Sequence, residues 1–245
     1  MPLSPLFDLH THTVASGHAY GTLQENLREA AARGLYALGT SDHSPGMPGG
    51  TDPAFFDNYK ILPRELFGVR LLRGMEANIT DYDGTVDGGL IMAHLDYVIA
   101  SLHSHCIKPG SVEDNTRAVI GAMKNPHVKI IGHPDDARYP LDLRRVAEAA
   151  RDEGVALELN NSSLRPTSSR KNGPVLEREL AKEIMAAGAK AVIGSDAHIW
   201  CDVGNFGEVL AMLEELHFPE ELVLNKSREG LEWILRKQES DQERR

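Results

Sequence analysis

Two histidines one residue apart, His10 and His12, follow the short apolar run that begins at Leu6. On an extended chain, residues i and i+2 project to the same side, so both imidazoles can face one point. That pairing suits a metal ion held at a strand end. Further donors occupy the same position relative to later apolar runs. His18 lies in the loop after the pair, His43 follows Ser41-Asp42, and Glu76 follows Gly74-Met75. His103 follows Ser101-Leu102, His133 follows Gly132, and Asp196 and His198 close the segment Gly194-Ser195-Asp196-Ala197-His198. These nine donors exceed what one four-coordinate ion can use. They suffice for two or three ions if a carboxylate bridges and water completes the shells. Nitrogen and oxygen donors without thiolate suit zinc, iron or manganese. A solitary strand-end histidine is commonly only a hydrogen-bonding residue. Seven histidines with two carboxylates, all at the same end of successive runs, point to a metal site.

Those runs must be strands. They read Leu6–His10, Leu35–Thr40, Val69–Gly74, Leu95–Ser101, Val128–Gly132, Val155–Leu159 and Ala189–Gly194. Each is too short for a typical helix and is bounded by breakers. Helical patterns lie between them. Thr22-Leu23-Gln24-Glu25 is a capping box whose helix ends at Arg33-Gly34. Further helices are expected over Ser111–Lys124, Leu141–Glu153, Pro174 to Gly188, Phe206–Leu216 and Ser227–Lys237. Ser44–Asp57, rich in Gly, Pro and Asp, reads as a long functional loop, and 239–245 as a frayed polar tail. Alternating strand and helix imply a mostly parallel sheet covered by helices. The expectation is one α/β domain over 1–245, a (β/α) barrel of seven strands with its site at the strands' C-terminal ends. An open doubly wound sheet is the alternative. The lack of a Gly-x-Gly-x-x-Gly or P-loop after the first strand weakens it.

The chain's 245 residues carry a net charge of −10, which argues against a general nucleic-acid or anionic-membrane grip. Bound cations would still let it hold a small anion. Two cysteines, Cys106 and Cys201, make no disulfide scaffold. No run of about 18 apolar residues is present, and the start has no basic segment typical of a signal peptide. A cytoplasmic setting is expected.

Other residues carry lesser roles. His94, His127 and His217 lie away from strand ends and read as surface or packing residues. His105, two past His103, is a candidate substrate contact or ligand. Cys106 reads as a buried, inert thiol. Arg170 and Lys171, in Ser168-Ser169-Arg170-Lys171, could hold a phosphate or a substrate tail, as could Arg138. Asp8 and Asp42, beside ligands, could orient imidazole N–H groups or cap strand ends. Ser41 and Ser195 precede ligands, and no Ser-His-Asp nucleophile pattern is evident.

Together the segments Asp8–Thr13, Ser41-Asp42-His43, Gly74–Asn78, His103, Gly132-His133-Pro134 and Gly194–His198 resemble the PHP (polymerase and histidinol phosphatase) family. Val14–Ala19, Asn160–Ser163 and Asn225-Lys226-Ser227 are similar to its small single-domain bacterial phosphatases with three metals. The resemblance implies a distorted seven-stranded barrel and a division of ligands. His10, His12, Glu76 and Asp196 would hold one ion. Glu76, His103 and His133 would hold a second, and His18, His43 and His198 a third. It implies hydrolysis of a small phosphate ester by metal-activated hydroxide, with Glu76, Asp196 and His198 nearest the chemistry and zinc the first choice of metal. Two readings compete. One is a phosphodiesterase, exonuclease or amide hydrolase. The other is a metal-binding module without catalysis, whose mark would be missing ligands.

Overall fold

Seven parallel strands lie side by side in chain order. The computed structural model describes residues 3–236. Strand β1 is Phe7–Asp8, β2 Ala37–Thr40, β4 Val69–Asn78, β5 Tyr97–Ser101, β6 Val128–Ile131, β7 Ala156–Asn160 and β8 Ala191–Gly194. A two-residue strand, β3 (Glu65–Leu66), pairs antiparallel with the start of β4 and was not expected. The helices are α1 Leu23–Ala32, α2 Pro53–Asp57, α3 Val112–Met123, α4 Leu143–Glu153, α5 Gly173–Ala187, α6 Gly207–Glu215 and α7 Arg228–Leu235. The expected helix end at Lys237 and the tail 239–245 lie outside the described residues.

The sheet curls into a nearly closed (β/α) barrel. Between β8 and β1 the ladder is replaced by a single parallel bridge, Thr11 to Ala197. Asn225 stitches that seam. Its Oδ1 accepts from Ile193 N at 2.6 Å, and its Nδ2 donates to Phe7 O at 2.8 Å and Ile193 O at 2.9 Å. All these groups are buried, so each is satisfied inside the protein. Inward side chains, including Phe7, Leu72, Tyr97, Ile99 and Ile130, fill the barrel, and Leu231 and Ile234 of α7 pack against them. Alternate strand residues such as Leu71 and Leu157 face the helices in the outer core.

Capping chemistry sets the helix starts. Thr22 and Ser111 form capping boxes with Glu25 and Asp114, and Asp142 and Ser227 cap α4 and α7. Two expectations need correction. The segment Ser44–Asp57 is not all loop, because Asp52 caps a helix that Pro53 opens. The third strand does not stop at Gly74 but runs through Glu76 to Asn78, pairing with β5 along Gly74–Asn78. No described helix is long and apolar enough to cross a membrane.

Candidate metal centre

Glu76 lies near the end of β4, almost fully buried, and histidines from four other strand ends close on it. Its Oε2 faces His43 Nδ1 at 2.8 Å, His10 Nε2 at 3.5 Å and His12 Nε2 at 3.6 Å. Its Oε1 faces His133 Nε2 at 2.8 Å and His103 Nε2 at 3.2 Å. Asp196 closes the ring, with Oδ1 3.4 Å from His12 Nε2 and 3.5 Å from both His10 Nε2 and His198 Nδ1. His18 meets the ring at its open side, Nε2 to His198 Nε2 at 3.0 Å. The nine sequence candidates are thus brought together.

Three buried nitrogens, His10 Nε2, His12 Nε2 and His43 Nδ1, have no hydrogen-bond partner. His43 Nδ1 lies within 2.8 Å of Glu76 yet is misaligned for a hydrogen bond. Orphaned buried donors and acceptors are costly, about 1–3 kcal/mol each. Divalent cations within the ring would satisfy these nitrogens, so this donor set fits metal. Triads whose ligand atoms lie within 4.8 Å of one another are His10/His12/Glu76, His10/His133/Asp196, His43/Glu76/His103 and His12/His43/His198. His12 thus takes the place beside His43 and His198 that the resemblance gives to His18.

The electrostatics keep the two carboxylates ionised and split the imidazoles, with His43 raised because Glu76 and Asp196 outweigh burial. Burial opposes ionisation of Glu76, but His103, His43 and His10 hold its carboxyl well below the usual range. Asp196 is likewise held low against burial by His10 and Arg170. Burial and the neighbouring imidazoles keep His12 well below its ordinary value, and burial pushes His103 down to about 4 despite Glu76. His10 moves the other way, because Glu158, Asp196 and Glu76 outweigh burial. Two of the nine candidates occupy backbone that L-residues rarely adopt, His133 with φ 30° and Asp196 with φ 53°. Such strain collects at functional sites.

Most of the partners that aim these imidazoles were not expected. Glu158 Oε1 lies 2.7 Å from His10 Nδ1, and Oε2 accepts from His133 N at 2.8 Å. Gly194 has no side chain because a Cβ there would strike Glu158. Asn78 Oδ1 lies 2.7 Å from His103 Nδ1. The Asn78 amide is turned by Asp87 and Ser44, which accept from Asn78 Nδ2 at 2.8 Å each. Gly46 leaves the room Asp87 needs. The signal for Glu158 was a carboxylate inside an apolar strand run. Asp42 acts as foreseen but indirectly, accepting from Ser16 Oγ at 2.7 Å while Ser16 contacts His12 Nδ1 at 3.1 Å. Asp8 does not touch an imidazole. It accepts from the backbone of His10, Ser195 and Gly204, which fits the strand-end capping alternative.

A cavity of about 590 Å³ opens over the ring. The candidate contacts Arg170, His105 and Arg138 line it, and so does Arg165, which the sequence did not single out. Arg170 Nη2 donates to Asp196 Oδ2 at 2.7 Å, leaving Oδ1 to the imidazoles. Arg138 is held by Asp136, Nε to Oδ2 at 2.8 Å, and Arg165 by Asp202 at 2.7 Å. Lys171 is exposed and forms no part of the wall; its backbone tethers the Arg170 segment to Asp136 and Ala137. Cys106 is half-buried rather than buried, and burial pushes its thiol up to about 11, which leaves it inert.

The PHP domain model matches residues 8–162, more than half the chain. A protein of Caldanaerobacter subterraneus named a probable phosphatase is 47% identical over 229 residues, covering 93% of this chain and 89% of its own length. One of the same name from Acetivibrio thermocellus is 44% identical over 234 residues, covering 95% and 96%. The fold is similar to that of histidinol phosphate phosphatase from Lactococcus lactis, solved with zinc, L-histidinol and phosphate. That likeness has a TM-score of 0.60 at 18% identity, over 88% of this chain and 95% of the other. On the family match and these identities, the chain belongs to the PHP domain family.

Proposed function

We propose that this metal-dependent phosphatase hydrolyses a small phosphomonoester with water activated by three divalent ions. The ions, zinc first with manganese or iron as alternatives, would lie among His10, His12, His18, His43, Glu76, His103, His133, Asp196 and His198. The observation that carries this reading is the closure of five imidazoles on the two oxygens of Glu76, with three buried ring nitrogens unpartnered. The shared name of the two close relatives and the zinc and phosphate of the Lactococcus enzyme support it.

When bound, the ions would lower the pKa of water toward neutrality and neutralise phosphoryl oxygens. The chain's own part is orientation. Glu158 sets the ring of His10, Ser16 that of His12 and Asn78 that of His103, each through Nδ1 so that Nε2 points inward. Arg170 holds one oxygen of Asp196 and keeps the carboxylate ionised against burial. Arg170 Nη1 has only a long contact of 3.5 Å with Asn160 Oδ1, so it remains able to take a phosphoryl oxygen. His105 and Arg138, which also line the cavity, would meet the leaving group.

A comparison of p-nitrophenyl phosphate with bis(p-nitrophenyl) phosphate in the zinc- or manganese-loaded enzyme tests this reading. The monoester should turn over at least about 100-fold faster, a difference of about 2.7 kcal/mol in barrier. Preference for the diester would replace the proposal with a phosphodiesterase.

A further inference from the structure

At the opposite end of the barrel, where β4, β5 and β6 begin, lies a second cavity of about 640 Å³. The chain carries a net charge of −10, yet this cavity is cationic. Arg70, His127, Lys129 and Arg236 line it against Asp96 and Glu232. Both acids are engaged. Glu232 pairs with Arg70 at 2.5 Å, and Asp96 takes Arg64 at 2.6 Å and the backbone N–H of Arg73 at 2.8 Å. That leaves Lys129 and Arg236 with no carboxylate partner among the described residues.

Lys129 is only 7% exposed, and its ammonium donates one hydrogen bond, to Pro126 O at 2.8 Å. An ammonium has three donors, so two remain. Arg236 stacks over Trp233, 3.8 Å from guanidinium carbon to ring centre, and makes a single long contact of 3.4 Å with Gly154 O. The stack fixes the plane of the fork and leaves its edge free. These like charges disturb one another. Burial and Arg236 lower Lys129, and burial and Lys129 lower His127. The buried Lys129 and the exposed fork of Arg236 repel each other with no carboxylate between them among the described residues, and an anion joining both would relieve that repulsion.

We infer that this cavity is a binding site for a small phosphate-bearing anion, held between Lys129 and Arg236 and separate from the metal centre. Oxygens of the anion would take the free Lys129 donors and the edge of the Arg236 fork. Its charge would also favour protonation of His127, whose surroundings are Arg70, Asp96, Lys129, Glu232 and Arg236. The site lies across the barrel from Glu76, so it needs none of the metal ligands.

Trp233 reports on it directly. The chain has two tryptophans, and Trp200→Phe leaves Trp233 as the only one. Inorganic phosphate and phenylphosphonate would be titrated separately into that metal-loaded variant, with sodium chloride of equal ionic strength as control. The expected result is a saturable change in Trp233 emission, with the midpoint raised at least about tenfold by Lys129→Gln with Arg236→Gln. Tighter phenylphosphonate would mark a phosphorylated organic ligand, and equal midpoints would mark free phosphate. A response matched by sodium chloride, or unchanged in the double variant, overturns the inference. Should the double variant not fold, NMR titration of His127 in the unsubstituted enzyme decides. Its pKa must rise when phosphate is added, and an unmoved pKa overturns the inference equally.

Discussion

Glu76 is the residue on which the metal centre converges, and its replacement is the sharpest test at this scale. Glu76→Ala removes both oxygens that separate the imidazole groups, so bound metal and turnover should fall together, activity by at least about 10³-fold. Metal content by atomic emission and a phosphatase assay check both. Glu158→Ala touches no substrate but frees the ring of His10, and should weaken metal affinity about 10–100-fold. Competition with a chromophoric chelator measures that loss, and unchanged affinity would remove Glu158 from the account. The nine donors were legible in the sequence because histidines stood at the end of one apolar run after another. Their orienting partners were not. Asn78 reaches His103, and Glu158 reaches His10, only through the register of neighbouring or opposed strands, which no local spacing reveals.

Among the elements, the seam between β8 and β1 is held more by Asn225 than by a ladder. Asn225→Ala leaves Phe7 O and both backbone groups of Ile193 without a partner. A loss of about 2–4 kcal/mol is expected in urea unfolding, with a smaller loss for Asn225→Ser. A second device joins β7 to α5, where the buried Glu177 accepts from Asn160 N and lies against Asp135. Burial and Asp135 raise the Glu177 carboxyl well above its usual 4.5. The folded state therefore keeps a proton that the unfolded chain has released, so this group's contribution to stability falls as pH rises from about 4.5 toward its folded value. Glu177→Gln can still accept from Asn160 N and can donate to Asp135. It should flatten that fall in denaturation curves taken from pH 5 to 8, and a fall as steep as in the unsubstituted protein would contradict the assignment. Strand and helix order was readable from apolar runs and caps. The extension of β4 past Glu76 to Asn78 was not, since a polar Asn beyond the apolar run looks like a loop residue until its buried bond to His103 explains it. Nor was α2, whose five residues are too few to show a period.

For the molecule as a whole, a ring of buried imidazoles is a liability until ions join it. Ions that bind only the folded chain stabilise it by about 2.7 kcal/mol each at a hundred times their dissociation constant. Stripping them with a chelator should therefore lower Tm as well as abolish turnover, and readdition of zinc or manganese should restore both. The barrel end that carries function was predictable, because donors gathered only after the strands. The cationic cavity at the other end was not, because Arg70, the His127/Lys129 pair and Arg236 are far apart in the chain and meet only through the parallel order of β4 to β6 and the return of α7. The central claim is a metal cluster built on Glu76, and anomalous diffraction at the metal edges of crystals grown from metal-loaded protein tests it most directly. Three peaks are expected inside the ring, with Glu76 ligating two of them through separate oxygens. Fewer than three peaks there, or peaks that avoid Glu76, would contradict it.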